Sequence, residues 1–255
     1  MIDFKLDFLL SSFVGKVVPR PISGTLSGHA AGEPFAKLVY EEIHSKWPNN
    51  TYMNFSYLNE LYLHNPHATT CSDRFDLVNS VPLAYLLCRP KGPTQRWSPT
   101  NQFEEKQNDT ADIILKDGPF CDIIDVKSYN VKLKGQPPNI ISATKVAHMC
   151  KLMIDHNDYN SFDITYIGVE WIYDSKFLIC SGITSKELFK TNPSNLYINW
   201  AAATQIQFHV HDLKQDYYLP KEIWVKDYLK HFVKMASERS KTIINNYVLP
   251  YQKYV

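Results

Sequence analysis

Apolar positions recur along this chain with two periods, and the switch between them marks its elements. From Glu33 the spacing of Phe35, Leu38, Val39 and Ile43 is that of one helix face, with Pro34 in the first turn. Further helices are predicted from Tyr57 to Leu63 and from Leu77 to Leu87, the second interrupted at Pro82. Ser142 is placed to cap a helix carrying Val146, Met149, Cys150 and Met153, whose sulfur atoms pack and do not ligate. The stretch from Lys221 to about Tyr247 reads as a long amphipathic helix with Trp224, Tyr228, Leu229, Phe232 and Ile243 inward.

Shorter apolar or alternating runs lie between these helices. Ala111 to Leu115 and Phe120 to Lys127 are predicted strands joined through Lys116-Asp-Gly-Pro119. Ile164 to Tyr173 and Phe177 to Ile183 form a second hairpin around Asp174-Ser175, and Gln205 to Val210 alternates as a half-exposed strand does. Strands in the middle, with helices before, between and after them, predict an α/β fold in which a central mixed sheet is flanked by helices.

Length and composition narrow the class. A chain of 255 residues can bury one large core, and residues 1–255 are expected to form a single domain without a stabilising disulfide or metal. The five cysteines, Cys71, Cys88, Cys121, Cys150 and Cys180, are odd in number and lack C-x-x-C spacing. Neither a disulfide framework nor a zinc ribbon is indicated, and a reducing cytoplasm fits best. The first residues carry no basic n-region or A-x-A site, and no apolar run approaches a membrane span, so a soluble protein is expected. A net charge of +1 argues against a generic polyanion binder, although Lys127, Lys132 and Lys134 could line a local groove.

The first hairpin holds the most suggestive chemistry. Asp125 and Lys127 share a strand face. A four-residue turn would set Asp112 opposite Ile123, on that same face and diagonal to Asp125, about 7–8 Å away, where two carboxylates can share an ion. A turn of three or five residues would send Asp112 to the other face. Five acidic-x-Lys triplets occur in the chain where about two are expected by chance, so Asp125-Val-Lys127 is singled out by its apolar strand and the upstream carboxylate. A solvated ion pair on an edge hairpin is the competing account. As a phosphodiesterase site, Asp112 and Asp125 would hold a divalent cation with the Val126 carbonyl as third ligand. Lys127 would orient water or stabilise developing charge.

Other features are weaker. Glu33 offers a further carboxylate, but an acidic residue favoured by a helix N-terminus is the simpler account. His209 and His211 on one strand face make a metal pair without a third ligand, and Glu104-Glu-Lys106 reads as a solvated cluster. Ser27-Gly-His29 lacks a nucleophile elbow.

Longer blocks carry a resemblance. Ser23 to Phe35 (SGTLSGHAAGEPF), Phe103 to Asp112 (FEEKQNDTAD), Asp125-Val-Lys127, Pro138 to Ala143 (PNIISA), Leu196 to Ala203 (LYINWAAA) and Tyr228 to Val233 (YLKHFV) stand in an order that resembles the HincII type of restriction endonuclease, within the PD-(D/E)xK superfamily. The resemblance implies a restriction-endonuclease-like core and a Mg²⁺-dependent homodimer. It also implies cutting of double-stranded DNA to blunt ends inside the palindrome GTYRAC, in a bacterial cytoplasm that also holds a cognate methyltransferase. Asp112, Asp125 and Lys127 fall on the catalytic positions. Asn199 falls on a major-groove contact with the outer base pairs, Asn139 on one nearer the centre, Gln107 on a minor-groove contact and Lys91 on a contact near the site. Gln136 falls on a side chain that wedges into the stack.

Three departures accompany it. Pro137 stands where the family has alanine beside the wedging glutamine, Tyr129 replaces a basic residue, and Ala111 replaces the superfamily's proline. A structure-selective repair or recombination nuclease, and a non-catalytic DNA-binding protein, are the alternatives to a restriction enzyme.

Overall fold

The computed structural model describes residues 6–20, 29–53, 57, 80–87, 111–132, 139–201 and 204–254. In chain order the elements are α1 (Asp7–Ser12), β1 (Val17–Pro19), α2 (His29–Lys46), β2 (Thr51–Met53), α3 (Val81–Leu87), β3 (Ile113–Asp117), β4 (Phe120–Asn130), β5 (Asn139–Ser142), α4 (Ala143–Asp155), β6 (Phe162–Asp174), β7 (Phe177–Glu187), β8 (Tyr197–Asn199), β9 (Gln205–Gln207), α5 (Val210–Lys214) and α6 (Lys221–Ile243). Six strands form a mixed sheet ordered β1-β7-β6-β4-β3-β2, with β4 and β6 parallel and the other neighbours antiparallel. A second sheet is ordered β5-β9-β8.

Alternation along the central strands makes two cores. Ile113, Leu115, Ile124, Val126, Ile167, Val169 and Trp171 point to one face, where Phe35, Val39 and Ile43 of α2 cover them together with α1. Ile114, Cys121, Ile123, Ile164 and Tyr166 point to the other and meet α3, α4, α6 and the small sheet. Helices on both faces of a mixed sheet give the α/β class read from the order of periods.

The helices differ from expectation mainly at their ends. α2 begins at His29, so Pro34 sits inside it and forfeits one intrahelical bond without ending it. α3 begins at Val81 with the Leu83 N–H donating to Ser80 Oγ at 3.1 Å, which places Pro82 in a first turn where no N–H is needed. The helix expected over Tyr57 to Leu63 and residues 77–79 lie outside the described residues, apart from Tyr57 itself, which is helical and buried. Ser142 caps α4 as expected, accepting from Lys145 N–H at 3.3 Å.

Three further expectations are corrected. The second hairpin turns at Ser175-Lys176, because Asp174 still pairs with Phe177 and Ser175 takes φ of 39°. The strand expected over Gln205 to Val210 stops at Gln207, since the Asp212 carboxylate accepts from His209 N–H at 2.7 Å and opens α5 at Val210. α6 is regular to Ile243 and passes into a π turn over Ile244–Val248. Ile243 is exposed there, because the helix runs past the body it packs on.

Candidate active site

β3 and β4 meet through two residues, Gly118 and Pro119, since Asp117 pairs with Phe120 and Lys116 with Cys121. The four-residue turn is thereby corrected. Gly118 has φ of 59°, which with a following proline suits a two-residue hairpin loop. Asn50 keeps Lys116 in the ladder: its carbonyl accepts from Lys116 N–H at 2.8 Å and its side-chain amide donates to Lys116 O at 2.7 Å. Carried back along the strand, the register sets Asp112 opposite Asp125 instead of Ile123. Both turn lengths are even, so Asp112 keeps the face expected of it and comes nearer to Asp125.

Asp112 is fixed at both ends. Its N–H donates to Ile124 O at 2.9 Å, and its Oδ2 accepts from Val126 N–H at 2.7 Å. Asp125 Oδ1 accepts from the Lys127 ammonium. Asp125 Oδ2 is buried and has no hydrogen-bond partner. Only 5% of the Asp125 side chain is exposed against 30% of Lys127, so the carboxylate is sunk while the lysine side chain is partly open to solvent.

Electrostatics follow from that arrangement. Burial, joined by the charge of Asp112 and opposed by Lys127 and Lys145, pushes the Asp125 carboxyl up to about 7. For Lys127 burial works against the charge, but Asp125 and Asp112 outweigh it and hold the ammonium above its ordinary value. Asp122, three residues earlier, is also buried and raised to about 7, by desolvation and by Asp163. It faces the other side of the sheet, where Thr165 Oγ1 donates to both its oxygens at 2.9 and 3.1 Å. Burial therefore does not single out a site on β4. What distinguishes Asp125 is an oxygen without a hydrogen-bond partner, on a face shared with Asp112 and Lys127, whereas both Asp122 oxygens are taken up by Thr165.

That donor set suits a hard divalent cation of the kind that binds one or two carboxylates and keeps waters. Asp125 Oδ2 is an acceptor left without a proton donor, and Asp112 brings a second negative charge to the same strand end. Among the described residues no group of three or more His, Cys, Asp or Glu side chains could hold a metal, so a chelating zinc-like centre is not formed there. His209 and His211 do not share a strand face: His209 precedes α5 and His211 lies in it, with their rings stacked at 5.5 Å.

Of the residues singled out for DNA contact, the structure brings two together. β5, β9 and β8 are adjacent, so that Asn139 pairs with Gln207 and Asn199 with Gln205 in one small sheet. Asn139 Oδ1 is buried without a partner, while Asn199 Oδ1 accepts from Ala201 N–H at 3.2 Å and closes its own turn. Lys91, Gln107, Gln136 and Pro137 lie outside the described residues, as do Glu104, Glu105, Lys106, Lys134 and the side chain of Glu33. Tyr129 donates to Glu170 Oε1 at 2.6 Å, so the aromatic residue at a basic position is engaged within the sheet.

Two neighbours of Asp125 escaped sequence reasoning. Lys145 stands buried in the first turn of α4 and acts on Asp125 through its charge. The signal available was a lysine among the apolar positions that follow the Ser142 cap. Tyr166 pairs with Asp125 across β4 and β6, and spacing alone gives no hint of it, because parallel neighbours are joined through a distant crossover.

A mixed sheet with helices on both faces, and two carboxylates and a lysine at one end of a central hairpin, define a restriction-endonuclease-like α/β protein. The family model described as "Restriction endonuclease HincII" matches residues 9–255. The type II restriction enzymes HindII and HincII, both of Haemophilus influenzae, are each 48% identical over 245 residues, which is 96% of this chain and 95% of theirs. The chain belongs to the HincII family of type II restriction endonucleases. It is a site-specific endonuclease acting on DNA, and its family implies the use of a divalent metal. No helix among the described residues is long and apolar enough to cross a membrane.

Proposed function

We propose that this endonuclease works as a Mg²⁺-dependent homodimer that cuts a GTYRAC-like palindrome to blunt ends, with Asp112, Asp125 and Lys127 catalytic. The observation that carries the reading is the buried Oδ2 of Asp125, which has no hydrogen-bond donor of its own and lies beside the second carboxylate of Asp112. Asp112, Asp125 and the Val126 carbonyl would hold the ion. Bound there, Mg²⁺ supplies charge neutralisation at the phosphate and a more acidic water.

The chain's own groups do the rest. The Val126 N–H holds the Asp112 carboxylate in place, so the donors are set before any ion arrives. Lys127 stays charged because two carboxylates outweigh its burial, and its ammonium, which carries three donors, can donate to a phosphoryl oxygen while Asp125 anchors it.

A two-fold dimer suits a palindrome, since each copy reads one half-site. For reading, Asn199 and Asn139 would contact base edges from the small sheet. Lys91 and Gln107 would approach the duplex nearby, and Gln136 beside Pro137 would press on the stack. A central pyrimidine-purine step is selected through its ease of deformation. Residues 1–255 act as one domain in the bacterial cytoplasm, and a cognate methyltransferase protects the host's own sites.

Digestion of a mixed-sequence plasmid with Mg²⁺, followed by sequencing of the ends, tests this. Blunt ends centred on GTYRAC are expected, and none with Lys127→Ala. Ends scattered over sequence but gathered at branched or damaged DNA would support a structure-selective nuclease instead. Asn199→Ala is expected to weaken discrimination at the outer base pairs by ~1–3 kcal/mol. Competition between cognate duplexes and duplexes altered at those pairs measures it, and an equal loss on every sequence would contradict a base contact.

A further inference from the structure

The face that carries Asp125 continues across β6 and β7. Asp125 pairs with Tyr166, Lys127 pairs with Gly168, and Gly168 pairs in turn with Thr184. Cross-strand partners share a face, so Tyr166 and Thr184 belong to the wall of the candidate site.

Gly168 leaves a notch in that wall, and its neighbours fill it. The Tyr166 hydroxyl lies 2.5 Å, Thr184 Oγ1 2.8 Å and Tyr166 Cε1 2.9 Å from the point where a Cβ on Gly168 would stand. The phenol therefore folds along its own strand over Gly168, with Phe208 edge-on to it at 5.6 Å. The Tyr166 residue is 1% exposed, and desolvation holds its phenol protonated, well above its ordinary value.

Three buried oxygens on this one face lack a hydrogen-bond partner: Tyr166 OH, Thr184 Oγ1 and Asp125 Oδ2. Such atoms are rare singly, and where they gather the usual partner is an ordered water with two to four polar contacts. We propose that the two hydroxyls of Tyr166 and Thr184, which converge on Gly168, hold one buried water beside them, and that through it Tyr166 acts as a positioning residue for Asp125. The phenol donates to the water, Thr184 completes its seat, and the water donates to Asp125 Oδ2. A carboxylate oxygen offers more than one lone-pair direction, so the same atom still faces an incoming cation. The inference rests on the nuclease reading above.

Tyr166→Phe and Thr184→Val keep ring and shape while removing one hydroxyl each. Each is expected to lower kcat by about 10-fold and to raise the Mg²⁺ concentration for half-maximal rate, with KM for DNA unchanged. The double variant should be no worse than either single one, because both lose the same water. Weaker Mg²⁺ binding should also appear by calorimetry on the DNA-free protein, and wild-type crystals should show solvent density beside the two hydroxyls. Wild-type rates and Mg²⁺ midpoints in both variants, losses that multiply, or no solvent density beside the two hydroxyls would overturn the proposal. Lys127→Ala run alongside separates the two levels. If that variant still cuts, the nuclease site is misassigned; if it is dead while Tyr166→Phe is fully active, only the water inference fails.

Discussion

Asp125→Asn is expected to abolish cleavage and at the same time to raise thermal stability, most of all at alkaline pH. The loss should reach at least about 10³-fold, the scale on which removing one member of a catalytic unit reads out. Asparagine keeps the shape and one acceptor oxygen for Lys127, but it cannot supply negative charge to a cation. The gain in stability comes from the sign of the carboxyl's shift. Its folded value is about 7, against an ordinary value of 3.8. Between those limits the folded chain retains a proton that the unfolded chain releases, so stability falls as pH rises through that window. Above it, the full cost of burying the charge is present. Removing the charge at pH 8 should therefore stabilise the metal-free protein by roughly 1–3 kcal/mol, less at pH 5. Lys127 tempers the gain by losing its partner's negative charge, although the acceptor oxygen and the charge of Asp112 remain. Thermal melts of both proteins at the two pH values, in chelator, decide it. An Asp125→Asn variant less stable than wild type at pH 8 would show that Lys127 and Lys145 compensate the buried carboxylate in full.

Such opposition between function and stability explains which parts of the site the sequence could reveal. Asp125 and Lys127 were legible because a strand's period of two is rigid, and Asp112 joined them because any even turn preserves its face. The register was not legible. Lys116 and Asp117 look like turn residues beside Gly-Pro, yet both pair with β4, and a clamp from Asn50, far upstream, holds Lys116 from its other side. Ser142 announced its helix through a local rule, whereas Gln205 to Val210 obeyed the strand rule and lost to the capping carboxylate of Asp212. Tyr166, Gly168 and Thr184 came to the site through sheet order alone. Pairing of β4 with β6 follows a crossover through β5 and α4, and no local pattern encodes which strands become neighbours.

Trp224→Ala is expected to be the most destabilising single truncation in the C-terminal third, at about 3–5 kcal/mol. Its indole is fully buried, stacks on Tyr228 at 5.3 Å, meets the edge of Phe189 at 5.0 Å and donates from Nε1 to Thr191 O at 3.0 Å. Truncation would open a cavity and leave the Thr191 carbonyl without that donor. One turn further on, Tyr228 OH donates to Ala143 O at 2.9 Å, so α6 is tied at Trp224 to the segment after β7 and at Tyr228 to the start of α4. Val233, 61% exposed on the same helix, supplies the contrast, since alanine there should cost almost nothing. For a chain of this size the expected loss lowers Tm by roughly 10 °C. α6 lends no group to the Asp112, Asp125 and Lys127 constellation, so at temperatures where the Trp224→Ala variant stays folded its cleavage rate should match wild type. A Tm shift under a few degrees would mean that α6 is held mainly elsewhere. A slow enzyme at low temperature would instead reveal that the bond to Ala143, two residues before Lys145, transmits the helix's seating to the charge that acts on Asp125.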